Sequence, residues 1–138
     1  MAKQAVQKPT KTNKPVQKKA VKQIQPIGKV YVFSGYNNTI VTITDLEGNT
    51  ICWGTAGGNN FKGSKKSTPY ASSVVGENTA KKAVALGIKE VTAYIKGVGS
   101  GKSQCVKALR NGGLLINKIV DVTPIAHNGC RPRKRRRV

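Results

Sequence analysis

The stretch KGVGSGKS at residues 96–103 combines glycines, lysines and a hydroxyl in a spacing close to that of a nucleotide-binding loop. A Walker A loop needs G-x-x-x-x-G-K-[ST], in which backbone N–H groups surround the phosphates while the Lys and the hydroxyl reach the terminal phosphate and its magnesium. With GKS at residues 101–103 as the end of that pattern, its first glycine should stand where Lys96 stands. The glycine present is Gly97, so the loop is one residue too short and the spacing disfavours nucleotide hydrolysis.

The same loop retains the features of a simpler anion site. Its glycines are free to adopt positive φ, its amide groups lie at an expected helix start, and Lys96 and Lys102 flank it. Such a loop fits a phosphate of an RNA backbone, and the alternative is a glycine-rich connection that binds nothing. The five acids are scattered, which disfavours nuclease chemistry as well. We expect no enzyme activity, no cofactor and no small-molecule substrate.

The cysteines indicate neither a disulfide framework nor a metal site. Cys52, Cys105 and Cys130 are odd in number and widely spaced, without a CxxC pair. His127 with Cys130 makes only half of a metal site, so we expect no metal. We also expect no membrane partner and no secretory signal, since no run approaches 18 apolar residues.

Positive charge is concentrated at the two ends of the chain. The 138 residues carry 25 Lys and Arg against five acids, a net charge of +20, which makes nucleic acid the leading partner. Residues 1–29 hold eight lysines and no acid, and residues 131–138 hold six basic side chains. The remaining 11 basic residues face all five acids within residues 30–130, which can therefore fold as an ordinary globule.

Runs of β-branched residues predict the strands that must position the glycine loop. KVYVFS (29–34), TIVTITD (39–45) and TICWGT (50–55) are separated by GYNN and LEGN, which suit tight turns. These three runs predict an antiparallel meander. Further strands are predicted at residues 91–96 and 115–122.

Two helices are predicted between the later strands. Thr68 followed by Pro69 marks the start of the first helix, and Gly87 is placed to end it. The second helix covers about residues 103–111 and stops at the glycine pair 112–113. The core-facing positions of the first helix are predicted to be Ala71, Val75, Ala83 and Leu86.

Strands joined through helices require right-handed crossovers. We therefore predict an α/β fold whose five-stranded mixed sheet consists of an antiparallel three-strand meander plus two crossover-linked strands, with two helices, in a ribonuclease-H-like topology. This globular domain would span residues 29–122. A basic N-terminal extension (1–28) and a basic C-terminal tail (123–138) would be disordered or extended.

Three stretches combine cations with groups that approach a nucleic-acid backbone closely: 57–70 (GGNNFKGSKKSTPY), 97–102 (GVGSGK) and 127–138 (HNGCRPRKRRRV). Their lysines and hydroxyls suit phosphates and 2′-hydroxyl groups, although the lysines also fit a solvated loop. Phe61 and Tyr70 would either stack on a splayed base or pack in the core.

Longer motifs resemble a known family. Four stretches closely resemble ribosomal protein eleven of the small subunit, bacterial type. They are YNNTIVTITD (36–45), TAGG (55–58), FKGSKKSTPYA (61–71) and DVTPIAHNGCRPRKRRRV (121–138). The likeness covers residues 30–138 in register. Where the family usually shows GPGPGR, this chain has GVGSGKS, so Lys102 replaces an arginine and lacks its planar fork.

The resemblance implies a structural constituent of the small ribosomal subunit. Such a protein binds small-subunit ribosomal RNA in the platform, beside neighbouring platform proteins and near messenger RNA at the exit path. It would work in the cytoplasm on the ribosome, or on an organellar ribosome. The alternative is a free-standing basic nucleic-acid-binding protein or regulator, with KRRR as a nuclear address. The RNA-binding residues that the resemblance implies are Asn37, Asn38, Thr39, Lys62, Ser64, Lys65, Lys66, Ser67, Thr68, Gly97, Gly99, Gly101, Lys102, His127, Asn128, Arg131, Arg133, Lys134, Arg135, Arg136 and Arg137.

Overall fold

The computed structural model describes residues 25–134. Most of the N-terminal extension and the last four residues of the C-terminal tail lie outside the described residues. The strands are β1 (Ile27–Ser34), β2 (Thr39–Thr44), β3 (Thr50–Thr55), β4 (Glu90–Lys96) and β5 (Leu115–Asp121), and the helices are α1 (Pro69–Ala85) and α2 (Gly101–Asn111). Two 3-10 turns, Gly57–Asn59 and Gly63–Ser67, precede α1.

The five strands form one mixed sheet in the order β3-β2-β1-β4-β5. β2 pairs antiparallel with both β1 and β3, whereas β4 pairs parallel with both β1 and β5. The chain reaches β4 through α1 and β5 through α2. This arrangement confirms the predicted α/β fold with its meander, its two crossover-linked strands and its two helices.

Local sequence signals set both ends of α1. Thr68 is extended, and its Oγ1 accepts a hydrogen bond of 3.2 Å from the amide of Ala71, while Pro69 occupies the first helical turn. Gly87, with φ +98°, terminates the helix in a conformation that favours glycine. The expectation that Leu86 faces the core is wrong, because the helix ends one residue before it and its side chain is 45% exposed.

The hydrophobic core lies between the two helices and one face of the sheet. The helices contact each other, with α1 over β2 and β3 and α2 over β1 and β4. Small residues let the helices approach closely: a methyl group at Gly76 would lie 2.8 Å from the Cys105 carbonyl oxygen and 3.1 Å from Ala108 Cβ. The strand and helix side chains in this core include Val30, Val32, Val41, Ile43, Val75, Val91, Cys105 and Leu109.

The edge strand β5 is irregular. Its register shifts so that Val91 faces Ile116 while Thr92 faces Lys118, which leaves Asn117 as an extra residue. The side-chain amide of Asn117 (Nδ2) donates a 3.0 Å hydrogen bond to the Glu90 carboxylate on the neighbouring strand. From residue 122 to residue 134 the chain forms neither strand nor helix. Among the described residues, neither helix is long and apolar enough to cross a membrane.

We expect Gly76→Ala to destabilise the protein by about 1–3 kcal/mol, because the added methyl group meets a rigid backbone carbonyl. Helix propensity alone predicts the opposite sign, since alanine is favoured over glycine by about 1 kcal/mol in a helix interior. Thermal denaturation followed by circular dichroism measures the effect. The matched control is Ser73→Ala, a half-buried position on the same helix. A Gly76→Ala variant more stable than the parent would contradict the close packing of the helices.

Candidate nucleic-acid interface

The carboxyl ends of four strands meet along one edge of the sheet. β1, β4 and β5 run parallel, and β3 has the same direction because it is antiparallel to β2. We call this side of the molecule the loop edge; it comprises the first turn (35–38), the lysine loop (56–68), the glycine loop (97–100) and the start of the tail (122–126). The stretches that the sequence predicts to bind RNA, as far as the structure describes them, therefore all begin at this one edge.

The glycine loop packs directly against the end of β1. Gly97 has φ +108°, and a methyl group there would collide with the Ser34 carbonyl oxygen. The amide of Gly99 donates a 2.8 Å hydrogen bond to that same carbonyl, and a methyl group at Gly99 would lie 2.5 Å from the Gly35 oxygen. The glycines therefore allow close approach between two stretches of backbone, and the spacing that resembled a nucleotide loop serves this contact.

Below the loop, a row of buried hydroxyl groups joins β1, β2 and α1. Thr39 Oγ1 lies 2.8 Å from Ser72 Oγ and 3.3 Å from Ser34 Oγ. Gly101, the first residue of α2, is buried against Ser72, where a methyl group would collide with the hydroxyl oxygen. This hydroxyl cluster (Ser34, Thr39, Ser72) fixes the first turn, the start of α1 and the start of α2 relative to one another.

Thr39 differs from the sequence-based expectation. It was expected to face RNA, but its side chain is fully buried and belongs to the hydroxyl cluster. Asn37 is exposed and Asn38 is half-buried, with its Oδ1 accepting a 3.0 Å hydrogen bond from the Thr39 amide. The exposed group that the sequence reasoning missed in this turn is Tyr36, whose side chain is 79% exposed at the tip.

The lysine loop divides its side chains between solvent and internal bonds. Lys62, Ser64 and Lys65 are exposed, whereas Lys66 is half-buried. The remaining hydroxyls are used locally. Ser67 Oγ donates to the Ser64 carbonyl at 2.9 Å. Thr68 Oγ1 donates to the Lys65 carbonyl at 2.8 Å besides capping α1. The ammonium groups of this loop are thus its principal contribution to an external ligand.

The two aromatic residues beside this loop have different environments. Phe61 packs against the core, and its ring meets Tyr70 edge to face with centroids 6.0 Å apart. Tyr70 itself remains exposed. Core packing therefore accounts for Phe61, and base stacking stays available to Tyr70.

The start of the tail is held against the glycine loop by contacts among Gly97, Thr123, Asp121 and Lys102, which we call the brace. Thr123 Oγ1 accepts a 3.2 Å hydrogen bond from the Gly97 amide and donates one of 2.5 Å to Asp121 Oδ1. The Thr123 amide donates to that same oxygen at 2.9 Å, and Lys102 Nζ lies 3.3 Å from the other. Lys102 is therefore partly neutralised by an acid, which the spacing of the glycine loop gave no reason to expect.

Beyond this brace the tail is exposed. Five predicted RNA-binding side chains of the tail are exposed to solvent: His127, Asn128, Arg131, Arg133 and Lys134. The backbone of Asn128 adopts φ +56°. Arg135, Arg136 and Arg137, also expected to bind RNA, lie outside the described residues. The described cations of the tail thus extend the positive charge of the loop edge away from the globule.

The titratable side chains considered for catalysis are dispersed, buried or already hydrogen-bonded. Within residues 25–134 no three His, Cys, Asp or Glu side chains come together. Burial raises the pKa of Cys105 to about 12, so its thiol stays protonated at neutral pH. The oxygens of Asp121, the acid nearest the glycine loop, are already bonded to Thr123 and Lys102.

The brace gives a pH-dependent prediction. The hydroxyl and the amide of Thr123, followed by Lys102, hold the pKa of Asp121 below its ordinary value of 3.8. The carboxylate therefore stabilises the folded state fully above pH 3.8 and loses this effect as the pH falls through the lower folded pKa. We expect Thr123→Ala to raise the pKa of Asp121, and Lys102→Gln to raise it less. Titration of the Asp121 carboxyl by NMR measures both changes.

A Thr92→Ala variant serves as the control, because Thr92 lies in β4 away from the carboxylate. An Asp121 pKa that does not move in Thr123→Ala would contradict the brace.

The sequence matches a known protein family over most of its length. Residues 28–137 match the family model described as Ribosomal protein S11. The match begins within β1 and runs past the described part of the tail, so it includes every element of the loop edge.

Proposed function

The chain belongs to the ribosomal protein S11 family, and from this premise we propose that it binds ribosomal RNA in the platform of the small subunit through its loop edge and tail. There it would support translation near the path by which messenger RNA leaves. The observation that carries the proposal is the convergence of the first turn, the lysine loop, the glycine loop and the tail on one edge of the sheet.

Membership of the family supports the general function of the protein. The protein is a constituent of the small ribosomal subunit, binds ribosomal RNA and works on the ribosome as a structural component. The proposal further includes contact with neighbouring platform proteins and with messenger RNA. It also includes a location in the cytoplasm or in an organelle. Its alternative, a free-standing regulator, finds no specific support in the geometry.

Two kinds of contact would act at the loop edge. The start of α2, directly after the glycine loop, offers backbone amides that no side chain of the described residues caps. Lys62 and Lys65 offer exposed point charges that suit phosphates and do not distinguish between bases. Tyr36 and Tyr70 add exposed rings that can stack on unpaired bases.

The departure from the family's glycine loop has a structural counterpart. The prolines usual in the family would stiffen this loop by fixing φ. Here the amides of Gly97 and Gly99 are bonded to Thr123 and Ser34, which anchors the loop at two points. The family pattern places its prolines where Val98 and Ser100 stand, so this chain lacks that stiffening, and its loop is restrained by these hydrogen bonds to the tail and to β1.

The tail would contribute through charge. Arg131, Arg133 and Lys134 project from the globule without a stabilising partner element among the described residues. When such side chains neutralise phosphates, they release condensed counterions, and binding becomes strongly dependent on salt. The globule would therefore supply orientation, and the tail would supply much of the affinity.

We expect the triple variant Arg131→Gln, Arg133→Gln, Lys134→Gln to bind small-subunit ribosomal RNA with a weaker salt dependence. Three lost phosphate contacts reduce the slope of log K against log salt by about 2 to 3. Filter binding over a series of salt concentrations measures the slope. The control removes equal charge away from the loop edge, by Lys89→Gln, Lys107→Gln and Arg110→Gln, all exposed in the structure. An unchanged slope in the tail variant, or an equal loss in the control, would refute the role of the tail.

Sedimentation separates the ribosomal function from the regulator. A structural component of the subunit co-migrates with small subunits at moderate salt, whereas a free-standing regulator remains in the light fractions.

A further inference from the structure

One face of the sheet is not covered by either helix. Along β1 the side chains of Val30 and Val32 are buried beneath the helices, while those of Tyr31 and Phe33 point to the opposite face. Both helices pack on the first face, and no other helix or strand within residues 25–134 lies over the second. We call this second surface the open face; it consists of the outward side chains of β1 to β5.

Aromatic residues occupy the middle of the open face. Lateral pairing aligns Trp53, Thr42, Tyr31, Tyr94 and Val120 in one row that crosses all five strands. The rings of Tyr31 and Tyr94 stack with centroids 5.3 Å apart and planes inclined by 17°. Trp53 at the edge of this row is 61% exposed, and Phe33 in the next row is 45% exposed. Four of the seven aromatic residues in the chain thus share a surface that the core does not use.

Charge on the open face is positive. Lys29, Lys96 and Lys118 belong to it by strand register, because Lys29 pairs with Thr92, Thr92 with Lys118, and Phe33 with Lys96. The acid on this face is Glu90, whose carboxylate already accepts a hydrogen bond from Asn117. The surface therefore combines aromatic rings with ammonium groups and threonine hydroxyls, and the exposed aliphatic side chains of Ile27 and Leu115 lie at its far end.

The open face is continuous with the loop edge. Phe33 and Lys96 form the row nearest that edge, directly before Ser34 of the hydroxyl cluster and Gly97 of the glycine loop. The open face and the loop edge are therefore adjoining surfaces.

We propose that the open face binds a short unpaired stretch of RNA, with bases stacked on its aromatic side chains and phosphates held by its lysines. Base stacking on aromatic rings is tolerant of sequence because every base has a π face. The same principle operates where a bare sheet with exposed aromatics stacks two or three bases. The proposal rests on the proposed function, since it extends the RNA path from the loop edge onto a second surface.

Size and charge favour RNA over a protein occupant. Five strands spaced about 4.8 Å apart and about seven residues long give a flat area of about 400 Å². A standard protein interface buries about 800 Å² on each partner, roughly twice that area. The lysines also surround the aromatic row, whereas the core of a protein interface is depleted of charge.

Trp53 is the one tryptophan of the chain, so its fluorescence reports directly on the open face. The experiment titrates the full chain with a short unstructured oligoribonucleotide of uridine and cytidine, and separately with an RNA hairpin. The wild type is compared with the double variant Tyr31→Thr, Phe33→Thr, in which threonine preserves strand propensity. We expect Trp53 quenching in the wild type and single-strand binding about tenfold to hundredfold weaker in the variant.

The matched control is Val84→Thr with Leu86→Thr, since these apolar side chains are exposed to a similar degree but lie at the end of α1. It should bind both RNAs as the wild type does. Equal single-strand affinity of wild type and double variant, or wild-type binding without a change in Trp53 fluorescence, would overturn the proposal while leaving hairpin binding and the proposed function intact. Failure of the wild type to bind either RNA would overturn both.

A second measurement requires only one substitution in the folded subunit. A photoreactive amino acid introduced at position 31 should crosslink to ribosomal RNA in intact small subunits. Crosslinks to protein alone would identify the open face as a protein interface and overturn the assignment to RNA.

Discussion

The arrangement of the loop edge depends on the contact between the glycine loop and the end of β1. The amide of Gly99 reaches the Ser34 carbonyl, and Gly101 sits against Ser72, because none of the glycines has a side chain that would keep the backbones apart. The hydroxyl cluster beneath them ties α1 and β2 to the same point. These short polar contacts therefore fix the orientation of four separate stretches of sequence, in addition to the strand pairing and the hydrophobic core.

The folded domain and the densest positive charge of this protein lie in different parts of the chain. The described globule has its buried polar side chains satisfied internally, so none of them requires a nucleic-acid partner. The densest positive charge lies in the tail, beyond the brace formed by Thr123 and Asp121. In the proposed function, the brace therefore marks the boundary between the surface that would orient RNA and the segment that would attract it.

Features governed by neighbouring residues could be read from the sequence. The cap at Thr68, the stop at Gly87 and the strand order of the meander depend on local chemistry, and all were predicted. The burial of Thr39 could not be predicted, since its hydroxyl partner Ser72 lies 33 residues away.

The sequence did not predict which face of the sheet stays uncovered, and the reason is different. Residues 30–33 read Val, Tyr, Val, Phe, so both faces of β1 are apolar and the alternation does not reveal which one the helices cover. The start of α2 at Gly101, two residues earlier than expected, likewise depends on a tertiary contact with Ser72. Sequence reasoning thus predicted which stretches form the proposed interface, and long-range contacts decide which of their atoms are exposed.

The extra residue Asn117 has a consequence for the protein before it is assembled. A sheet that ends in a regular exposed strand is a template on which a second chain can extend the ladder. In β5 the bulge interrupts the row of backbone groups, and Lys118 follows it immediately, so an incoming strand finds neither a continuous register nor a neutral edge. A newly made copy is thereby protected on this side from polymerising with others during the interval between synthesis and incorporation.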